Sequence, residues 1–157
     1  MSWETGSERI RELINAGGIG QVPPDIGLAR RMLADARRHL ATAAAAEPAG
    51  DLSGAYQLAY DALRKSAASL LEAQGLRATS RGGHIAVQDA VIAQFGSSIR
   101  ALRSFSRLRR ARNSLEYPST ETPHPSGDDV KDAIRVAREV NDAADKILKS
   151  EILSPWQ

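Results

Sequence analysis

Apolar residues recur at intervals of three and four along most of this chain, and no segment alternates convincingly with period two. The last long segment is the clearest case. Val130, Ala133, Ala137, Val140, Ala144 and Ile147 keep a strict 3,4 spacing. That spacing puts one apolar seam along a helix running from Asp128 or Asp129 to about Leu153. Ile26, Ala29, Leu33, Ala36, Leu40 and Ala43 form a similar stripe after Asp25 and predict a helix to about Ala46. Leu52, Ala59, Leu63, Ala67 and Leu70 mark a third helix, capped by Asp51 and ending near Gln74, where Gly75 is a natural stop. Val87, Val91 and Phe95 belong to a shorter helix opening at His84. Residues 97–117 form a fifth, with Leu102, Phe105, Leu108 and Leu115 inward.

A short first helix is expected over about 5–16. Thr5 and Glu8 stand at capping-box spacing, and Gly17 and Gly18 end it. "QVPPD" and the proline-rich "PSTETPHPSG" are breaks, and "GLRATSRGG" reads as a connecting loop. The expected fold class is therefore all-α: a bundle of four main helices with one or two short additional helices. Residues 1–24 read as a short helix and linker, 25–153 as the bundle and 154–157 as a tail. Such a pattern names no function.

Composition narrows the picture. A chain of 157 residues suits one domain with its own core. Cysteine is absent, which removes disulfides and thiolate chemistry. No stretch approaches 18 uninterrupted apolar residues, and the N-terminus lacks a basic-then-apolar leader pattern. The expectation is a cytoplasmic protein with no membrane partner. Net charge is only +2, but six arginines fall between 100 and 112 while the last segment is rich in acids. Nucleic acid is thus a permitted partner of this bipolar chain, not an implied one.

Arg112 is the unusual charge. It lies four residues after Leu108 and three before Leu115, so helical phase turns it toward the apolar stripe. A charge there needs a partner, a cleft or a subunit interface. Glu116, four residues on, offers a plain intrahelical pair; a functional polar cluster is the other reading. Arg100, Arg103, Arg107 and Arg110 recur at spacings 3, 4, 3 on another face, either as a solvated ridge or as a ridge contacting phosphates. Arg109, like Arg110, reads as solvated charge.

His84, after Gly82 and Gly83, reads as a cap or packing residue, with joining Arg112 in a site as the alternative. His124 sits in a proline-flanked loop and His39 on a helix surface. These scattered histidines have no paired carboxylates at ligand spacing, so neither a metal nor another cofactor is expected. Tyr56 and Tyr60, four apart, read as core. Trp3 and Trp156 dock either on the bundle or on a partner.

Three stretches carry a resemblance: "AYQLAYDALRKSAASLLEAQGL" (55–76), "RGGHIAVQDAV" (81–91) and "RARNSLEYP" (110–118). In this order and spacing the chain resembles the HEPN superfamily of helical bundles over roughly 25–150, nearest in style to small stand-alone bacterial members of actinobacterial type. The resemblance implies a homodimer in which two arginine motifs meet. It also implies binding of RNA or nucleotide, in a toxin–antitoxin or phage-defence setting. Active members are similar to metal-independent endoribonucleases, in which 2′-hydroxyl attack leaves a cyclic phosphate. On that pattern Arg112 binds phosphate, Asn113 is its polar neighbour, Glu116 orients it, and Tyr117 stands where the family carries histidine. Histidine moves protons near neutrality, whereas a tyrosine phenol ordinarily titrates near 10 and serves better as a hydrogen-bond donor. The alternative is a non-catalytic protein acting by protein–protein interaction, with an antitoxin or nucleotidyltransferase-like partner.

Overall fold

The computed structural model describes residues 3–157. Six α-helices dominate: α1 (Ser7–Asn15), α2 (Ile26–Ala46), α3 (Leu52–Glu72), α4 (Gly83–Phe95), α5 (Phe105–Glu116) and α6 (Gly127–Lys149). The all-α expectation holds. Two short strands, β1 (Ile19–Gln21) and β2 (Leu76–Ala78), pair antiparallel, with Gly20 opposite Arg77.

Local signals account for most helix ends. Asp25 and Asp51 accept hydrogen bonds from the Leu28 and Gly54 amides and so cap α2 and α3. The α6 cap is Ser126, which forms a reciprocal capping box with Asp129. The predicted Thr5–Glu8 box does not form. Gly6 is the N-cap of α1 instead, with φ of 76° and no side-chain cap bond. A Cβ at Gly6 would lie 2.5 Å from the Ala93 carbonyl, so only glycine fits this close approach to α4.

α3 is the axis of the bundle. It packs along both α2 and α6, and α4 and α5 close over its remaining side. Leu63, Ala67 and Leu70 are fully buried, as are Leu102, Phe105 and Leu108. Each large apolar side chain so buried contributes about 1.5–3 kcal/mol. The buried amide of Asn141 is fully used. Asn141 of α6 donates to the Leu33 carbonyl (3.1 Å) and Ser66 Oγ (3.0 Å), while its oxygen accepts from Arg37 Nε (2.9 Å). One side chain thereby ties α2, α3 and α6 in a single register.

The predicted fifth helix is divided. Ile99, Leu102 and Phe105 are buried at a constant spacing of three, the period of a 3₁₀ helix, which spans Arg100–Ser104 before α5 begins. The termini close on the bundle. Gln74 and Gln94 exchange reciprocal amide hydrogen bonds (2.9 and 2.8 Å). The Trp3 indole donates to the Gln94 carbonyl (3.0 Å), and the Trp156 amide to the Gln74 carbonyl (2.9 Å). Both tryptophans therefore dock on their own chain. No helix among the described residues is long and apolar enough to cross a membrane.

Candidate functional site

The β1–β2 ribbon determines where α4 starts. The Thr79 amide donates to the Gly18 carbonyl (3.0 Å), and Thr79 Oγ1 donates to that of Gly17 (2.6 Å). The same hydroxyl oxygen accepts from the Gly82 amide (3.1 Å). Gly82 lies so close to the ribbon that a Cβ there would sit 2.1 Å from the Gly18 oxygen. The "RGGH" stretch is thus clamped against the loop after α1, and His84 emerges in a fixed place on the first turn of α4.

That place is opposite Tyr60. The Tyr60 side chain is fully buried, packed edge-on against Phe105 at 6.0 Å, and its hydroxyl meets His84 Nδ1 at 2.9 Å. The two rings stack with centroids 5.6 Å apart. On the α5 side, the Arg112 guanidinium carbon lies 5.7 Å from the Tyr60 ring centroid, within cation–π range. The structure therefore brings His84 and Arg112, 28 positions apart in sequence, to one aromatic ring from two different helices.

Arg112 pairs with Glu116, as the plain reading of the motif expects, and its side chain is 19% exposed. The pair leaves the guanidinium incompletely served. Among the described residues, the two buried side-chain polar atoms without a hydrogen-bond partner are Arg112 Nε and Arg64 Nε. Arg64 follows Tyr60 by one helical turn on α3 and lines a groove of about 400 Å³ with Met32, Leu71, Leu76 and Val87. Arg109 bridges α5 to α4 by donating to Gln88 (3.0 Å). It is half-buried, which corrects its reading as solvated charge.

Charge and burial act together on the central pair. Burial pushes the Tyr60 phenol up to about 12, against the opposing fields of Arg64, Arg112 and Arg109. The phenol stays protonated at neutral pH. Burial also lowers the His84 pKa below its ordinary value, helped by Arg64 and Arg112 and opposed by Asp61 and Glu116. His84 is consequently neutral at pH 7. Three guanidiniums and two carboxylates surround a neutral imidazole and a neutral phenol, so the cluster carries an excess positive charge.

The other expected site residues lie outside this cluster. Asn113 is exposed, and its carbonyl accepts from the Tyr117 amide at 3.1 Å. Tyr117 is 77% exposed at the end of α5, where the backbone leaves helical geometry before Pro118. Arg100, Arg103, Arg107 and Arg110 are exposed, but they form no continuous helical ridge, because the first two belong to the 3₁₀ segment. Arg107 is committed to Asp132 of α6 at 2.9 Å, and Arg110 to Ser106 Oγ at 2.7 Å. His124 is exposed and borders a separate groove of about 300 Å³ between its loop and α5. His39 is half-buried, not superficial, and contacts Lys65 Nζ at 2.7 Å.

Tyr60 is in the core, as its spacing predicts, whereas Arg64 has no role in the sequence reading and Arg109 only that of solvated charge. Spacing held a usable signal for one of them: Tyr60 and Arg64 are four apart, hence on one face of α3.

In comparisons with known proteins, the family model of the HEPN domain matches residues 29–147. Neither the curated proteins nor the solved structures give a match. The matched span holds Tyr60, Arg64, His84 and Arg112 together with the helices that carry them. A match over so much of the chain, on a bundle of this form, places the protein in the HEPN family.

Proposed function

We propose that this HEPN module binds RNA or nucleotide through phosphate contacts made by Arg112 and supported by Arg64. The observation that carries this reading is the pair of half-buried arginines near Tyr60, Arg64 and Arg112, each with a buried Nε–H that no protein acceptor meets. Burying such donors is costly unless an acceptor compensates them, and a phosphate presents planar guanidinium with several acceptor oxygens. Glu116 orients Arg112 in the resting protein. Asn113 and Tyr117 supply polar contacts at the mouth of the site, with Tyr117 donating a hydrogen bond. Arg100 and Arg103 guide the polyanion along the adjoining surface, and Arg107 and Arg110 extend that field from α5.

The α4–α5 face is also the proposed homodimer face, where two copies of the arginine motif meet. Ile85, beside His84 and 54% exposed, supplies apolar surface for it. The setting that suits such a module is a bacterial toxin–antitoxin or phage-defence system. Metal-independent endoribonuclease activity is the catalytic form of this proposal.

A second reading has its own support. Arg112 is ion-paired within its helix, and the residue at the family's histidine position is an exposed tyrosine. Both features suit a non-catalytic module that acts by binding a nucleotidyltransferase-like protein or an antitoxin. Incubation of purified protein with single-stranded RNA, beside an Arg112→Ala variant, separates the readings. Binding with cleavage that the variant lacks supports the ribonuclease form, binding without cleavage supports a phosphate site that does no chemistry, and the protein-partner reading expects neither. Absence of binding by the wild type removes the phosphate-site proposal.

A further inference from the structure

We infer that His84 is the second phosphate-binding side chain of this site, offering its Nε2 to an oxygen of the phosphate held by Arg112 while Tyr60 holds its Nδ1. This rests on the phosphate-binding reading of Arg112. The motif position of the family, Tyr117, lies exposed at the helix end, so the imidazole of this site comes from another helix.

The geometry assigns the two ring nitrogens different tasks. Tyr60 Oη is 2.9 Å from Nδ1, and the Tyr60 side chain is fully buried. A phenol is the better donor of the two groups and an imidazole nitrogen the better acceptor, so the hydroxyl donates to Nδ1. The neutral imidazole of this half-buried residue then carries its proton on Nε2, as a hydrogen-bond donor. Gly82, pressed on the Gly18 carbonyl, fixes the α4 start and therefore the ring that the hydroxyl meets.

A bound phosphate changes the charge balance around the ring. In the free protein Arg64 and Arg112 disfavour the imidazolium while Asp61 and Glu116 favour it, and burial adds to the first effect. A phosphodiester between Arg112 and His84 adds a negative charge against the ring and favours the imidazolium. Binding thus takes up a proton. Affinity is greatest below the free-state pKa of His84 and declines as pH rises through the pKa of the complex.

The test uses the full-length protein and a ten-nucleotide 2′-O-methyl oligouridylate, which binds as RNA and lacks the 2′-hydroxyl needed for cleavage. Long-range ¹H–¹⁵N NMR of the wild type reads the His84 tautomer, and a pH titration reads its pKa with and without oligonucleotide. The expected result is an Nε2–H tautomer, an upward shift of the His84 pKa on saturation, and affinity about three- to tenfold weaker at pH 8 than at pH 6. His84→Gln keeps a donor without titrating, so whatever binding it retains no longer varies with pH between about 6 and 8. An unmoved His84 pKa at saturation, or the same pH profile in His84→Gln, overturns the inference and leaves the Arg112 reading standing. No binding by the wild type at low salt overturns both. Loss of binding by Arg112→Ala with an intact His84–Tyr60 signature supports the shared site.

Discussion

The Tyr60 hydroxyl and His84 Nδ1 stand 2.9 Å apart, joining the middle of α3 to the first turn of α4 beneath the Arg112 guanidinium. This contact organises the site and is tested by removing one atom. Tyr60→Phe keeps the ring against Phe105 and leaves Nδ1 without its donor. We expect a loss of about 0.5–1.5 kcal/mol in urea unfolding. The His84 tautomer should also become mixed in ¹⁵N NMR. Unchanged stability together with an unchanged tautomer would show that the hydroxyl does not hold the ring.

Gly82 tests whether the ribbon positions His84. A methyl group at this position meets the Gly18 backbone, which cannot rotate away. Gly82→Ala should cost about 1–3 kcal/mol, the range for overpacking in a well-packed region. Amide shifts around His84 should move with it. A variant as stable as the wild type, with an undisturbed His84 spectrum, would contradict the clamp.

His39 gives a pH dependence whose sign is fixed. Burial lowers its pKa first, and the Lys65 charge lowers it further. The unfolded chain accepts a proton near pH 6.5 that the folded chain resists. The stabilisation is therefore present above that pH and lost as pH falls through it. Equilibrium unfolding at pH 7.5 and 5.5 should show a larger loss for the wild type than for His39→Gln. Equal losses would mean that the Lys65 contact leaves His39 unperturbed.

Helix-forming stripes made the bundle legible in the sequence, because the 3,4 spacing of α2, α3 and α6 is also the geometry of their buried faces. The ribbon was not legible: β1 and β2 are three residues each, too short to show alternation, and they exist through backbone pairing with Thr79 beside them. The break at Arg100–Ser104 was written in the spacing Ile99, Leu102, Phe105, which fits a three-residue period better than a longer one. Within "RRARNSLEYPS", the spacing from Leu108 and to Leu115 predicts that Arg112 turns inward, and its side chain is largely buried there. The residues that complete the cluster come from α3 and α4. No local pattern links them, since their meeting depends on helix packing over Phe105.

The most direct measurement is fluorescence anisotropy of a labelled single-stranded RNA with wild-type protein and Arg112→Ala, at 50 and 200 mM salt. Removing a charge-assisted hydrogen-bonding group of about 1.5–3 kcal/mol should weaken binding roughly ten- to a hundredfold. Wild-type affinity should also fall steeply with salt, as counterion release from phosphates requires. Equal affinity of the two proteins, or a wild-type affinity indifferent to salt, would contradict a phosphate site at Arg112.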